Sequence, residues 1–229
     1  TPLFDQGSVE FNIKTKSDEK NTKIMTQISF GDTLIAEDII TVNNIETKRI
    51  YDIFQKKIFR GCTHGSGWTW TPENPNLFDV TLTLLTDDKV SDKIESYFGM
   101  RKIHTENGKV YLNNRPYYQR LVLDQGYWPD SLMTAPSDED FKKDIILAKQ
   151  MGFNGCRKHQ KIEDRRFLYW ADKLGYLVWS EMPSTISYNT DSISRITNEW
   201  IESVNRDYNH PCIVTWVALN ESWGVSEIN

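Results

Sequence analysis

The sequence of 229 residues is short of cysteine, of long hydrophobic runs and of positive charge. Its three cysteines lie far apart without a CxxC pair, which argues against a disulfide framework and against a zinc site. The net charge of -5 leaves no basic surface of the kind that binds nucleic acid, so we expect no such partner. No run approaches the length of a membrane span, and we expect no membrane partner. GxGxxG and GxxxxGK motifs are missing too, which excludes the usual cradles for nucleotide phosphates.

The composition is that of a folded globular protein, with 38% hydrophobic and 26% charged residues. Its length allows one or two domains. The sequence starts with Thr1-Pro2 and not with Met, so we expect it to be a piece of a longer protein. The lack of a signal peptide therefore leaves the compartment open, with the cytoplasm favoured.

Residues 1 to about 100 predict an all-β unit. Apolar and polar residues alternate with period two over 9–14 and again over 78–84. Clusters of Asp, Asn, Gly and Lys separate these runs, which is typical of the short strands of a β-sandwich. Trp68 and Trp70 lie in a proline-rich segment, where they either fill the core or form a flat platform for a ligand.

From residue 117 onward the predicted strands and helices alternate. Buried strands are predicted over 117–123, 153–157, 176–180 and 213–219. Helices are predicted from the N-cap Ser137 to Gly152, over 163–174, and from 194 to about 208. This alternation indicates a parallel sheet with helical crossovers, either in a β/α barrel or in an open doubly wound sheet.

Polar residues follow each of these predicted strands. They are Asp124 and Gln125, residues 157–160, Glu181, and Asn220 with Glu221. Because the carboxyl ends of the strands of a β/α barrel converge on one rim, we expect these side chains to lie close together. The clustering is stronger evidence for a site than any one of the residues.

The hydrophobic run 213–219 leads directly into Asn220-Glu221. Trp216 and Trp223 could wall the carboxyl group of Glu221 and remove water from it, so that it keeps a proton near neutral pH as a general acid does. The alternative is an N-cap or a surface glutamate in a salt bridge.

Six segments, in order along the chain, resemble glycoside hydrolase family 2, the family of β-galactosidases, β-glucuronidases and β-mannosidases. They are Trp70-Thr-Pro-Glu-Asn-Pro-Asn-Leu-Phe78, Phe98-Gly-Met-Arg-Lys-Ile103, Leu112-Asn-Asn-Arg-Pro116, Gly152-Phe-Asn-Gly-Cys-Arg157, Leu174-Gly-Tyr-Leu-Val-Trp-Ser-Glu181 and Arg206-Asp-Tyr-Asn-His-Pro-Cys-Ile-Val-Thr-Trp-Val-Ala-Leu-Asn-Glu221. The resemblance implies an immunoglobulin-like β-sandwich over 1–103. It also implies that 104–229 are the first four β/α units of an incomplete TIM barrel.

The resemblance further implies a retaining exo-β-glycosidase of the β-galactosidase or β-glucuronidase type, with a carbohydrate substrate. Glu221 would be the acid/base, and Asn220 would hydrogen-bond the 2-hydroxyl of the sugar. Retaining glycosidases need a second carboxylate as nucleophile. In this family it follows on a later strand, so we expect it beyond Asn229 and expect the chain alone to be inactive.

The same resemblance suggests further substrate-binding residues, although some depart from the family pattern. They are Asp124, Arg157, His159, Glu181, Asn220 and Trp223. His159 could instead form a salt bridge at the rim, and Glu181 could be a buried carboxylate paired with Arg157. Some members hold magnesium through a glutamate in the position of Glu181 and a nearby histidine. Met182-Pro183 follows Glu181 and no histidine is near it in the sequence, so we expect no metal and no other cofactor.

Another function remains open from the sequence, a non-catalytic carbohydrate-binding or assembly module on the same scaffold. Half a barrel would also have two open sheet edges, which can pair with another chain. We therefore expect a homo-oligomer.

Overall fold

The computed structural model describes residues 1–16, 21–42, 46–62, 67–221 and 225. Its contacts divide the chain into two compact units, Thr1–Pro116 and Tyr117–Asn229. The boundary predicted from the sequence, between 103 and 104, precedes a small hairpin that these contacts place in the first unit.

The first unit contains two antiparallel sheets, one of three strands and one of four. Their strand orders are β1-β2-β5 and β4-β3-β6-β7. The strands are β1 (Pro2–Leu3), β2 (Ser8–Lys14), β3 (Thr22–Phe30), β4 (Thr33–Thr41), β5 (Glu46–Asp52), β6 (Phe78–Thr86) and β7 (Lys89–Phe98).

The core of this unit lies between the two sheets. Val9 from β2 and Ile28 from β3 are fully buried in one hydrophobic cluster, and Phe11 of β2 meets Phe98 of β7 edge to face at 5.8 Å. Strand residues of alternating polarity bury one face and leave the other in water, which is why the period-two pattern produces a sandwich. The predicted β-sandwich is therefore confirmed.

A three-stranded meander completes the first unit. It consists of β8 (Ile103–Glu106), β9 (Lys109–Leu112) and β10 (Arg115–Pro116), in the order β10-β9-β8. Asn107 and Gly108 connect β8 to β9 with φ angles of 49° and 71°. Two positive φ angles in a row define the tight hairpin turn that an Asn-Gly pair favours.

The second unit is a parallel sheet with helical crossovers, as predicted. Its strands pair in chain order, β11 (Leu121–Asp124), β12 (Gly155–Lys158), β13 (Leu177–Glu181) and β14 (Ile213–Val217). The helices between them are α1 (Asp138–Gln150), α2 (Arg165–Leu174) and α3 (Thr190–Asp207). The four strands and three helices, within the described part of the chain, correspond to about half of an eight-stranded β/α barrel.

The start of α1 follows from its sequence. Ser137 accepts a hydrogen bond from the backbone N–H of Asp140, and three acidic residues occupy the first turn, where the helix dipole favours negative charge. Phe141, Ile145 and Ala148 are buried, as their spacing predicts. Within the described residues, no helix has both the length and the apolar character required to cross a membrane.

Several predicted boundaries were wrong. Strand β11 begins at Leu121 and not at residue 117. Helix α3 begins at Thr190 and not at residue 194, because Asn189 and Ser192 form a capping box that starts the helix one turn earlier. Strand β14 ends at Val217, and the next two residues of the predicted strand, Ala218 and Leu219, are exposed. Since β14 is an edge strand of the described sheet, it has a neighbour on one side only.

Gly155 lies on strand β12, between β11 and β13, and its substitution tests how closely these strands pack. A Cβ atom at this position would overlap the carbonyl oxygen of Leu177 and lie 2.6 Å from its Cβ and 2.7 Å from Cδ2 of Leu121. Backbone cannot move aside cheaply, so we expect Gly155→Ala to lower the free energy of unfolding by about 1–3 kcal/mol or more. Urea denaturation followed by circular dichroism measures this loss.

Gly152→Ala is the matched control in the same unit. Its added Cβ meets nothing within 4 Å, so only its φ of 93° opposes the substitution. We expect a smaller loss than for Gly155→Ala. Equal losses would show that crowding between the strands does not require glycine at 155.

Candidate functional site

Strand register separates the polar strand ends into two groups. Arg157 pairs with Leu123 on one side and Trp179 on the other, and Lys158 pairs with Asp124. Successive side chains of a strand point to opposite faces of the sheet, so Arg157 and Lys158 lie on opposite faces. The predicted single cluster is therefore two clusters.

The first group, which we call the strand-end cluster, consists of Arg157, His159, Glu181 and Asn220. Arg157 connects its members, since its Nε donates to Glu181 Oε2 at 2.5 Å and its guanidinium donates to Asn220 Oδ1 at 2.8 Å. Glu181 is completely buried, whereas about a third of the Arg157 side chain is exposed. The buried carboxylate is thus paired with a cation that also reaches the surface.

Glu181 accepts a second hydrogen bond. The backbone N–H of Gln160 donates to its Oε1 at 2.9 Å, and His159 Nδ1 lies 3.2 Å from the same oxygen. His159 Nδ1 is buried and makes no hydrogen bond to a described residue. The buried Glu181 carboxylate is therefore held by the Arg157 guanidinium and the Gln160 N–H, with His159 beside it.

Asn220 is held at both its backbone and its side chain. Only 8% of the residue is exposed, its Oδ1 accepts from Arg157, and its backbone N–H donates to the hydroxyl of Ser184 at 3.2 Å. With Oδ1 engaged, the Nδ2 donor makes no hydrogen bond to another described residue. The side-chain amide therefore presents a donor at the end of β14.

Glu221 follows directly and differs from the expectation. It is exposed, and its backbone φ is 55°, a left-handed conformation. Trp216, expected to wall its carboxyl group, instead packs edge to face against Trp200 of α3 at 5.8 Å. Trp223, the other expected wall and a predicted substrate-binding residue, lies outside the described residues.

The second group, the buried charge cluster, lies on the helix side of the sheet and consists of Asp124, Lys158, Lys161 and Glu163. Lys158 Nζ lies 2.5 Å from Asp124 Oδ2, 2.8 Å from Glu163 Oε2 and 3.9 Å from the ring centre of Phe167 in α2. Asp124 also accepts from the backbone N–H of Gly126 at 2.7 Å. The structure therefore separates Asp124, a predicted substrate-binding residue, from Arg157, because the two side chains leave opposite faces.

Lys158 is charged despite being only 2% exposed. Burial alone would lower its pKa, but Cys156, Asp124 and Glu163 together raise the pKa of Lys158 above its usual value. Burial raises the pKa of the Cys156 thiol to about 12, so this cysteine is a neutral core residue. The two carboxylates are therefore the anions that balance the lysine.

Two groups of residues are candidates for metal ligands. Glu181 does not fit a magnesium ion, because the Arg157 cation and the Gln160 N–H already occupy its oxygens. Asp172, His210 and Cys212 offer ligand atoms within 4.8 Å of one another. However, the Asp172 carboxylate is bound by His210 Nδ1 at 2.6 Å and by the Cys212 N–H at 2.8 Å, which fixes the turn before β14. The expectation that no metal is needed stays a prediction.

The sequence identified the strand-end cluster but missed the roles of Lys158, Lys161 and Glu163. Lys161 is 7% exposed, and its Nζ donates to the carbonyl oxygens of Gly126 and Met133 and lies 3.2 Å from Glu163. The sequence could have indicated this cluster, because side chains alternate along a strand and Lys158 therefore lies on the helix side of the sheet. A buried lysine there requires anions beside it.

This fold and these strand ends define a class of protein, a β/α scaffold with ionisable and amide groups at the carboxyl edge of its parallel sheet. Two family models match the chain. Residues 1–101 match the model for glycosyl hydrolases family 2, and residues 103–229 match its TIM barrel domain. The chain belongs to glycosyl hydrolase family 2.

Several curated relatives have related sequences. The β-galactosidase of Thermoanaerobacter pseudethanolicus is 27% identical over 88% of this chain and 26% of its own length. The β-galactosidase of Vibrio vulnificus is 30% identical over 67% of this chain and 16% of its own length. A β-glucuronidase of Streptococcus agalactiae is 25% identical over 80% of this chain and 33% of its own length. The chain thus spans a third or less of these relatives.

Solved structures share the fold. A β-glucuronidase of Bacteroides uniformis superposes with a TM-score of 0.76 at 24% identity, covering 91% of this chain and 25% of that one. The FMN-binding β-glucuronidase of Facaelibacterium prausnitzii superposes with a TM-score of 0.79 at 23% identity, covering 99% of this chain and 34% of that one. These likenesses confirm the β-sandwich followed by part of a TIM barrel.

The buried charge cluster makes Lys158 a stabilising residue. Lys158→Met removes the cation and leaves Asp124 and Glu163 buried without it, so we expect a loss of about 3–5 kcal/mol in the free energy of unfolding. The measurement is urea denaturation at neutral pH. Lys143→Met, an exposed lysine on α1, is the control and should have little effect. A Lys158→Met protein as stable as this control would contradict the account.

Proposed function

We propose that this chain is part of a retaining exo-β-glycosidase that removes a terminal β-linked galactose or glucuronic acid. Family membership supports glycoside hydrolysis, and relatives named β-galactosidase and β-glucuronidase support these two sugars. The observation that carries the proposal is the contact of one guanidinium, that of Arg157, with both Glu181 and Asn220 at the strand ends. This arrangement prepares a hydrogen-bond donor beside Glu221 before any substrate binds.

Asn220 is proposed to bind the sugar. Because Arg157 occupies Oδ1, the amide is oriented with Nδ2 available to donate to a hydroxyl group, the 2-hydroxyl by family resemblance. Hydrogen bonds to this hydroxyl strengthen as positive charge develops on the sugar ring in the transition state. Arg157 and Glu181 are then positioning residues, which act through Asn220.

Glu221 is proposed as the acid/base. It would donate a proton to the glycosidic oxygen as the bond to the leaving group breaks, and then accept a proton from the attacking water. Its exposed position beside the buried Asn220 allows its carboxyl group to meet a bound sugar. His159, with Nδ1 directed at Glu181, is proposed to line the same site.

The nucleophile is proposed to come from sequence outside residues 1–229. Retention requires a second carboxylate about 5–5.5 Å from the first. Among the described residues at this edge, Glu181 is committed to Arg157 and Asp124 to Lys158. A protein as long as the relatives, of which this chain spans a third or less, can supply the second carboxylate elsewhere.

Another candidate function is carbohydrate binding or assembly without hydrolysis. The exposure of Glu221 favours it, since an exposed carboxyl group lacks the dry surroundings that a general acid uses. Calorimetric titration of the chain with galactose and glucuronate distinguishes the two. Micromolar binding that Asn220→Ala abolishes would favour the binding module, and an absence of binding that depends on Asn220 would favour the divided catalytic site.

Glu221→Gln tests the catalytic proposal in a protein extended to the length of the relatives. A glutamine cannot donate the proton, so we expect kcat/KM for substrates with poor leaving groups to fall about 10²–10⁴-fold. Dinitrophenyl glycosides, whose leaving group needs no proton, should retain more of their rate of glycosidic bond cleavage.

The control is Glu202→Gln, an exposed acid of α3, which should keep full activity. An extended Glu221→Gln protein that hydrolyses both kinds of substrate normally would exclude the acid/base role. Residues 1–229 alone should not hydrolyse aryl glycosides, and enzymatic rates from that chain would refute the proposed external nucleophile.

We also propose that the chain self-associates through its parallel sheet. Among the described residues, β11 and β14 are the outer strands of this sheet, and Leu123 on β11 is 57% exposed. Unpaired strand edges pair readily with a second chain. Light scattering should therefore give at least twice the mass of 26.8 kDa. A monomeric mass across a range of concentrations would contradict this.

A further inference from the structure

The first unit contains a cavity of about 290 Å³ that the proposed catalytic chemistry does not use. All of its lining residues belong to this unit, and they combine aromatic rings with charged and amide side chains. This size is near the lower end of small-molecule pockets, which begin at about 300 Å³. The cavity therefore has room for a ligand with a single ring.

Three aromatic residues form one wall. Phe4 stacks on Trp68 with ring centres 6.3 Å apart and planes inclined by 24°, and Phe54 lies 6.1 Å from the same indole. Trp68 is only 3% exposed, whereas Phe54 is 52% exposed. About half of the Phe54 side chain is thus exposed to solvent beside the cavity. Burial of this apolar surface against a ligand would be favourable.

Backbone contacts with Gly7 fix the position of Phe54. The carbonyl oxygen of Gly7 accepts hydrogen bonds from the N–H groups of Ile53 and Phe54, both at 2.9 Å. Gly7 has a φ of 63°, and a Cβ atom there would overlap Cβ of Phe54 and lie 3.2 Å from its Cγ. Only glycine allows this close approach, so the exposed ring is held in place.

The rim of the cavity is polar and preorganised. Asp5 accepts from Asn114 Nδ2 at 2.9 Å and from Lys102 Nζ at 2.5 Å. These hydrogen bonds, with that from Asn114 the larger influence, lower the pKa of Asp5, so its carboxylate is a permanent acceptor near neutral pH. The side chains of Gln6 and Arg115, also at the cavity, make no hydrogen bond to another described residue and can serve a ligand.

The indole N–H of Trp68 is a second observation that favours a ligand at this wall. Its Nε1 is buried and has no hydrogen-bond partner among the described residues. An unpaired buried donor is destabilising. Trp68 lines the cavity, so a ligand that brings hydroxyl oxygens to this wall would supply acceptors beside it.

We propose that this cavity is a saccharide-binding site that takes one pyranose ring. The C–H face of the sugar would lie on Phe54 and Trp68, and its hydroxyl groups would bond to Asp5, Asn114 and Arg115. A purely apolar ligand would leave the carboxylate and the guanidinium unused, and an ion would leave the aromatic wall unused. The site is separate from the proposed catalytic residues, which all lie in the other unit.

The test is a titration of the ¹⁵N-labelled 229-residue chain, followed by NMR. The probes are methyl β-D-galactopyranoside, methyl β-D-glucopyranosiduronate, and cyclohexanol as a six-membered ring that carries one hydroxyl. We expect at least one glycoside to shift, in a saturable manner, the signals of residues 4–7, Phe54, the Trp68 indole N–H and residues 113–115. Shifts at Asn220 report the other site, so failure of one proposal is distinguishable from failure of the other.

Two variants and a control make the test specific. Phe54→Ala removes an exposed ring and should weaken glycoside binding about tenfold, equivalent to about 1.4 kcal/mol. Arg115→Gln should weaken it too, most strongly for the glucuronide if its carboxylate is bound. Ile50→Ala, an equally exposed apolar residue of β5 away from the cavity, should leave binding unchanged.

Any of three results would overturn the proposal. These are an absence of saturable shifts at the cavity with either glycoside, cyclohexanol binding as tightly as the glycosides, and Phe54→Ala binding as well as Ile50→Ala. The second result would identify the cavity as a simple apolar pocket.

Discussion

The ion pair between Arg157 and Glu181 is the interaction on which the rest of the strand-end site depends. Glu181 is fully buried, and a buried carboxylate without a cation is strongly unfavourable. Arg157 satisfies it with Nε and uses its remaining donors for Asn220. A guanidinium can do this because its donors point in fixed directions, which an ammonium group does not provide. One side chain therefore joins the ends of β12, β13 and the segment after β14.

Strand β12 supports two charged networks at once. Arg157 belongs to the strand-end cluster, and the adjacent Lys158 belongs to the buried charge cluster that connects the sheet to α2. Alternation of side chains along the strand keeps the two apart. On the helix side of the sheet, the buried charge cluster joins β11 to the segment before α2. Strand β12, which carries Arg157, is therefore held by charged contacts on both of its faces. Preorganised polar groups of this kind are what a hydrolytic site needs.

The sequence predicts the architecture well because its signals are local. Hydrophobic runs and Ser137 as N-cap mark elements that the structure contains. It predicts the site less well because side-chain direction and partners depend on register between distant strands. Asp124 follows a strand as expected, but pairs with Lys158 on the other face. The exposure of Glu221 depends on residues around a strand end, which a hydrophobic run cannot reveal. The early start of α3 was readable in Asn189 and Ser192, and was missed.

A double-mutant cycle between Arg157 and Glu181 tests the central claim most directly. Arg157→Met, Glu181→Gln and the double variant are compared by their free energies of unfolding in urea at neutral pH. If the pair organises the strand ends, Arg157→Met should cost about 3–5 kcal/mol, because it leaves the buried carboxylate without its cation. The double variant should then lose at least about 2 kcal/mol less than the sum of the single losses. Additive losses would mean that the two side chains do not depend on each other, and would contradict the account.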